Sequence, residues 1–298
     1  LAATPPTPAT PVYLAAPAYA SGKVNPELGR EGMVNSPAVA DLDGDGKPEI
    51  VVTSWAGTIY VIGSDGKSKP GWPRRLPEVP SCPLDPSVPK VQPCMDETFR
   101  IARGAFASPV VIDMNKDGKL DIVQAAFDAN VYVFDAAAQP VAGWPVNIHY
   151  TGKLAAEPNR NRILTTPAVA DFNGDGIPDL IVGSNEQLGS GGQSGAVYLL
   201  DGRGMLTPGG AVFPQWPISM TSFELFPLVA EGVTNSPVIA DFDGTLAAVA
   251  HGNATSPLIL PLEPGTQQSL VAPPTNILPV HPDLKIGRAS CRERVSLN

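Results

Sequence analysis

Three short acidic segments carry the residues whose types and spacing could bind a metal ion. Each has Asp or Asn at positions 1, 3 and 5, Gly at position 6 and an acid at position 9. Calcium takes about six to eight oxygen ligands, which these side chains and the position-7 carbonyl can supply. The candidate ligands of loops one, two and three are Asp41, Asp43, Asp45, Lys47 and Glu49; Asp113, Asn115, Asp117, Lys119 and Asp121; and Asp171, Asn173, Asp175, Ile177 and Asp179.

The residues that follow each loop distinguish it from helical calcium motifs. An EF-hand needs an acid at position 12 and a following helix, whereas position 12 here is Val52, Gln124 or Val182. Short β-branched runs begin at position 10 and predict buried strands. Magnesium is disfavoured because it keeps several waters. The loops therefore predict about three Ca²⁺ sites, one per loop; solvated acidic turns without metal are the alternative.

The loops belong to a longer internal repeat. A Ser/Thr-Pro pair leads into each copy, at residues 36, 108, 166 and 236, and the first loop Asp follows the Pro by four residues. Two more apolar runs and a Trp-Pro pair follow in the first three copies. Repeats of four short strands, with added length confined to turns, are typical of propeller blades. We predict an all-β fold, an incomplete β-propeller of four-stranded antiparallel blades with three blades and part of a fourth.

Two features of the repeat need separate interpretation. Trp72, Trp144 and Trp216 could stack on a carbohydrate, but the following Pro suits an outer strand, and we expect these side chains to pack between blades. The fourth copy keeps Asp241 and Asp243 but has no acid at positions 5 and 9. We therefore expect no metal ion there.

The third copy shows a family resemblance. Asp171-Phe-Asn-Gly-Asp-Gly-Ile-Pro-Asp-Leu-Ile-Val-Gly, with Gly195-Ala-Val-Tyr-Leu-Leu, resembles the FG-GAP repeat of integrin α-subunit heads. The Ser/Thr-Pro-Ala-Val-Ala-Asp opening resembles bacterial VCBS-type repeats. The resemblance covers residues 35–252 and implies a propeller with calcium loops between the first two strands of each blade. Propellers of this family usually have about seven blades, so we expect the chain to be a fragment.

The remainder of the chain divides by composition. We expect residues 1–34 to be a Pro/Ala-rich tether or the remnant of a preceding blade, and residues 253–285 to be irregular and Pro-rich. Residues 286–298 contain Ile-Gly-Arg-Ala-Ser-Cys-Arg-Glu-Arg-Val, which matches a translated sequencing adapter. We expect this tail to be dispensable; an ordinary basic tail is the alternative.

Two cysteines outside that tail bracket a Pro-rich stretch. Cys82 and Cys94 could close one loop as a disulfide, which indicates an oxidising compartment. Two unpaired thiols are the alternative. A zinc site is disfavoured because neither a second cysteine pair nor a nearby histidine completes four ligands.

Charge and motifs exclude several classes of function. The net charge of −9 argues against nucleic-acid binding, and no apolar run reaches the length of a membrane span. The three histidines share no catalytic motif, and the chain has no nucleophile elbow, zinc-protease motif or P-loop. We therefore expect no enzymatic activity.

The sequence favours a calcium-binding extracellular propeller that acts as a binding or adhesion module. We expect it to be secreted or at the cell surface, with an unidentified protein or glycan as its ligand. One alternative is an accessory propeller of a larger secreted enzyme, such as a polysaccharide lyase or hydrolase. Another is a structural spacer of a surface protein.

Overall fold

Antiparallel strands form nearly all of the regular structure in the computed structural model of the chain. The exception within its described part is one 3-10 turn at Gly204–Leu206. The predicted all-β class is therefore confirmed. The structure describes residues 32–77 without Ala56, 104–149, 162–185, 187–188, 192–193, 195–219 without Gln215, 233, 235–241, 246–250 and 258–261.

The first two blades have the same order of four antiparallel strands, each paired with the next. Blade one contains β1 (Ala38–Ala40), β2 (Glu49–Thr53), β3 (Thr58–Ile62) and β4 (Arg74–Arg75). Blade two contains β5 (Val110–Ile112), β6 (Asp121–Ala125), β7 (Asn130–Phe134) and β8 (Val146–Asn147).

Blade three repeats this order with an insertion, and blade four is partial. Before blade three, β9 (Arg162–Ile163) pairs with the end of β11. Blade three contains β10 (Ala168–Ala170), β11 (Asp179–Asn185), β14 (Ala196–Leu200) and β15 (Ile218–Ser219), with the hairpin β12 (Gln187–Leu188) and β13 (Gly192–Gln193) inserted. Blade four contains β16 (Val238–Asp241), β17 (Leu246–Ala250) and β18 (Leu258–Pro261).

One register relates the first two strands of blades one to three, and it fixes where the loops lie. The residue two before the first loop Asp pairs with the residue eleven further along the chain, as Val39 with Ile50, Val111 with Ile122 and Val169 with Leu180. Blade four differs, because Ile239 pairs with Ala248, nine residues further along. Each acidic loop therefore connects the first strand of its blade to the second. The central strands β3 and β14 are buried along their whole length, as expected for strands covered on both faces.

The Ser or Thr that opens each repeat links neighbouring blades. Ser36 N–H donates to Ser108 Oγ at 3.0 Å, Ser108 N–H to Thr166 Oγ1 at 2.9 Å, and Thr166 N–H to Ser236 Oγ at 3.0 Å. The same hydrogen bond thus recurs at each step from blade one to blade four. Identical steps between successive blades build the arc of a propeller.

The Trp of the repeat forms a second link between blades, called the Trp–Gly seam. Trp72 Nε1–H donates to Ala136 O at 2.9 Å and Trp144 Nε1–H to Gly202 O at 3.3 Å, and both side chains are 6% exposed. Gly143, just before Trp144, has φ +88°, and a Cβ there would lie 2.2 Å from Arg203 O. The expected packing of Trp72 and Trp144 between blades is confirmed.

Several predicted features lie outside the described residues. These are residues 1–31, the cysteine pair Cys82 and Cys94, the loop at 242–245 with Asp243, and the tail at 286–298. Strand β18 lies within the segment predicted to be irregular, and it pairs with β17. Its short apolar run, Leu-Ile-Leu-Pro, forms a strand because β17 supplies a complementary edge.

Candidate metal centre

Side chains of each loop fold the loop by accepting hydrogen bonds from its own backbone. In loops one to three the position-6 N–H donates to the position-1 carboxylate, at 2.8–3.0 Å, and the position-7 N–H donates to the position-5 carboxylate, at 2.8–2.9 Å. The position-6 glycines have φ between +81° and +85°, which favours Gly over any residue with a Cβ. The turn therefore requires Gly at position 6 and acceptors at positions 1 and 5.

The acid at position 9 ties the loop to the start of the second strand. Glu49, Asp121 and Asp179 are at most 1% exposed, and each accepts the N–H of the position-2 residue at 2.9–3.0 Å. The position-2 side chains are buried apolar groups, which hold that N–H near the strand. The apolar residue at position 2, seven residues before the acid, was the sequence signal for this anchoring role.

Loop one brings three predicted ligands together. Carboxylate oxygens of Asp41, Asp43 and Glu49 all lie within 4.8 Å of one another. Asp41 Oδ1 is buried and has no hydrogen-bond partner, and an unpartnered buried carboxylate oxygen is costly unless a cation neutralises it. This set of hard oxygen donors fits a calcium ion. Asp45 is not in the group; its Oδ1 accepts the Lys47 N–H.

A lysine from the turn between β3 and β4 reaches loop one. Lys69 Nζ lies 2.5 Å from Asp43 Oδ2 and 3.2 Å from Glu49 Oε1. The hydrogen bond from Lys69 lowers the pKa of the Asp43 carboxyl. An ammonium group therefore neutralises part of the loop one cluster.

Loop two contains Lys116 and Lys119, but neither reaches its acids as Lys69 reaches those of loop one. In residues 104–149 and the other described ranges, no Lys or Arg forms an ion pair with its acids. The pKa of Asp121 is raised to about 6, chiefly by burial and further by the negative charges of Asp117, Asp113 and Asp135. Loop two therefore has a buried carboxyl near further acids, whose repulsion a bound cation would relieve. In the part of the chain that the structure describes, only the acids of loop one come within 4.8 Å of one another as a group of three.

Loop three lies between these two cases. Arg203 Nη2 lies 2.7 Å from Asp175 Oδ2 and 2.9 Å from Asp201 Oδ2, so its charge is shared with an acid outside the loop. Burial, followed by the charges of Asp201 and Asp175, raises the pKa of Asp179 to about 6. Gly202 N–H donates to Asp179 Oδ1 at 3.0 Å. The loop thus keeps a buried carboxyl beside partly neutralised acids.

The structure places the remaining predicted residues within these loops. Asn115 and Asn173 each accept the N–H of the position-5 Asp, at 3.0 and 2.9 Å. Lys47, Lys119 and Ile177 contribute the position-7 N–H described above. Sequence reasoning missed Lys69 and Arg203, because both reach their loops from a different turn of the blade.

No helix in the described residues is long and apolar enough to cross a membrane. Of the three histidines, His149 is described, and its Nδ1 lies 3.2 Å from Asn147 Oδ1. These residues form a surface hydrogen bond on the strand that ends blade two.

Comparison with known proteins identifies the repeat. The family model of the FG-GAP repeat matches residues 33–62 and 164–200. These two matches include loop one and loop three. FG-GAP repeats commonly bind Ca²⁺ and are typical of extracellular proteins. No curated protein sequence matches the chain.

Several solved structures are similar to the chain at low sequence identity. They include BBS1N in complex with ARL6DN, at 11% identity and TM-score 0.45, covering 80% of this chain and 56% of that one. BamB from Moraxella catarrhalis matches at 10% identity and TM-score 0.41, covering 78% and 47%. The C-terminal domain of Pseudomonas aeruginosa PilY1 matches at 14% identity and TM-score 0.41, covering 75% of this chain and 47% of that one. The chain spans about half the length of these proteins.

The strand order and register, the acidic loops and the family match agree with one another. A propeller with FG-GAP-like repeats indicates a binding or accessory module. The chain resembles the FG-GAP repeat at residues 33–62 and 164–200, and both segments lie in antiparallel blades of a propeller-type all-β fold.

Proposed function

We propose that the chain is a calcium-stabilised extracellular binding module and not an enzyme. The observation that carries this proposal is the buried, unpartnered Asp41 Oδ1 in a cluster of three carboxylates. Two further loops repeat its internal hydrogen bonds. A cation is the partner that such oxygens lack.

The loop side chains would hold the ion, and the backbone would hold those side chains. Calcium would supply positive charge among carboxylates that otherwise repel one another. The position-9 acid is already oriented by the position-2 N–H, and the position-1 acid by the position-6 N–H. Each loop therefore presents acceptors that need little rearrangement to bind.

The position of the loops supports a structural role for the ion. Each loop joins the first strand of a blade to the second, so a bound ion would fix the first turn of that blade. Calcium sites in extracellular modules bind at about 10⁻⁴–10⁻³ M, which matches extracellular rather than cytosolic calcium. At about a hundredfold excess over Kd, each site would add about 2.7 kcal/mol to the stability of the folded state.

The binding partner is an unidentified protein or glycan. The FG-GAP family supports an extracellular location, and the net charge of −9 disfavours nucleic acid. The three histidines share no catalytic motif in the sequence, and the acidic clusters have a structural explanation as metal loops.

Thermal unfolding in calcium, magnesium and chelator tests this proposal. Chelation should lower Tm by several degrees, because the folded state loses the free energy of calcium binding. Magnesium should restore little of this loss. Asp117→Asn should reduce the calcium-dependent increase in Tm. Asp65→Asn is the matched control, because Asp65 is an exposed turn acid outside the loops. A folded protein with the same Tm in calcium and chelator would contradict the proposal.

A further inference from the structure

We infer that Lys69 is a tethered competitor for the cation of loop one, so that this loop binds calcium more weakly than it would without the ammonium group. The inference rests on the calcium-binding function proposed above. It assigns to loop one a competing charge that comes from outside its motif.

Backbone register shows that Lys69 replaces an apolar residue of the other blades. Lys69 N–H donates to Val61 O at 2.9 Å, Val141 N–H to Val133 O at 3.0 Å, and Phe213 N–H to Leu199 O at 3.0 Å. Lys69, Val141 and Phe213 therefore occupy equivalent positions, three residues before the Trp of each repeat.

The equivalent residue of blade two belongs to the apolar core. Val141 packs in the cluster that contains Val133 and Trp144, and it is buried. Blade one instead directs an ammonium group toward the acids, and the Lys69 side chain is 22% exposed. A buried valine adds no charge to loop two, whereas the lysine adds a full positive charge to loop one.

Lys69 contacts the same oxygens that a divalent ion would need. Its Nζ is bonded to Asp43 and Glu49, two of the three acids that form the loop one cluster. A divalent ion on these carboxylates would meet a like charge at contact distance, which is strongly unfavourable. The long flexible side chain can move away, so binding would first break these two ion pairs.

The ammonium group does not complete the cluster. Asp41 Oδ1 stays buried and unpartnered even with Lys69 in place. A fixed internal replacement for the metal would leave no such oxygen. Lys69 therefore competes with the ion and does not replace it permanently.

Calorimetric calcium titration of the full chain tests this inference with two matched variants. Lys69→Val introduces the residue that blade two has at that position. Lys67→Gln likewise introduces the residue that blade two has at the equivalent position. Lys67 and Gln139 are equivalent because the carbonyl of each accepts the N–H of the residue four before it, Gly63 or Asp135. Each variant removes one positive charge, but Lys67 pairs with Asp65 at the surface and not with the loop.

Lys69→Val should tighten one calcium-binding step about tenfold, and Lys67→Gln should leave it unchanged. Asp43→Asn in the wild-type chain should abolish that same step. Without calcium, Lys69→Val should lower Tm because Asp43 and Glu49 lose their counter-charge, and saturating calcium should restore it. Lys69→Met, which keeps the apolar stem, provides the same comparison if Lys69→Val does not fold.

Four outcomes would contradict the inference. An equal change in affinity for Lys69→Val and Lys67→Gln would assign the effect to net charge. A Tm loss for Lys69→Val that is the same with and without calcium would make Lys69 merely structural. Calcium uptake by wild type with an unchanged Lys69→Val isotherm would overturn this inference alone, whereas no uptake by any form would also overturn the proposed function.

Discussion

The acidic loops and the Trp–Gly seam stabilise the same blades by different physical means. The loops act within a blade, through charged groups whose oxygens exceed the donors available to them. The seam acts between blades, through buried aromatic side chains and close backbone packing that need no ion. Calcium should therefore control the first kind of contact and leave the second unchanged.

Because the two kinds of contact are separate, copies of one repeat can differ in metal dependence and still keep the same fold. Register, strand order and the seam are the same in blade one and blade two, while their loops differ in counter-charge. A substitution in a loop should therefore alter stability in a calcium-dependent way, whereas a substitution in the seam should alter it equally with and without calcium.

Removal of the Trp144 side chain should have the largest effect. Trp144→Ala leaves a large cavity between blades two and three and should cost about 3–5 kcal/mol. The loss should be equal in calcium and in chelator, as measured by denaturant unfolding. Trp144→Phe is the control, because it keeps the aromatic packing and loses only the bond to Gly202 O. A loss of stability for Trp144→Ala only in calcium would make the seam part of the metal site.

Gly143 should be the next most sensitive position. Gly143→Ala places a Cβ about 2.2 Å from Arg203 O at a φ of +88°, so steric overlap and backbone strain should together cost about 3 kcal/mol. Gly209→Ala is the matched control, because its φ is +94° but nothing lies within 4 Å of the added Cβ. Equal losses for the two variants, measured by unfolding, would show that close packing at the seam contributes nothing.

Asp121→Asn should have opposite effects in the two conditions. The amide oxygen can still accept the Met114 N–H, so the anchor is kept while the charge is removed. In chelator, Tm should rise because the crowded carboxylate is gone; in calcium, stability should fall by about 2.7 kcal/mol at a hundredfold excess over Kd. Asp135→Asn, outside the loop, should keep the calcium response. A fall in Tm in both conditions would contradict a metal role for Asp121.

The smallest effect is expected at the hydrogen bonds between first strands. Ser108→Ala removes the acceptor of the Ser36 N–H, which should cost about 0.5–1.5 kcal/mol. The cost should not depend on calcium, because these bonds join blades and not loop acids. Thermal unfolding at two calcium concentrations would measure it, and a calcium-dependent cost would contradict the separation of loop and seam.

Local spacing allowed much of the fold to be predicted. Short β-branched runs, such as the one that begins at Ile122, predicted buried strands, and the Pro-to-Asp spacing predicted where each loop begins. The loop residues are close in sequence, so their hydrogen bonds within one turn could be anticipated from residue type. Burial of Trp144 against the next blade followed from the Pro that comes after it.

Contacts between distant segments could not be predicted from spacing. Lys69 reaches Asp43 across 26 residues, and nothing in the motif indicates that this turn faces the loop. The bond from Ser36 to Ser108 spans 72 residues and depends on how one blade is placed on the next. Strand β18 was missed because its apolar run is short and lies among prolines.

Calorimetric titration of calcium into the folded full chain tests the central claim most directly. The account predicts uptake of about three ions at submillimolar to millimolar calcium, with one step that tightens when Lys69 is replaced by Val. Magnesium at the same concentrations should produce little heat and should not block calcium uptake. A chain that is folded by circular dichroism and takes up no calcium at millimolar concentration would contradict it.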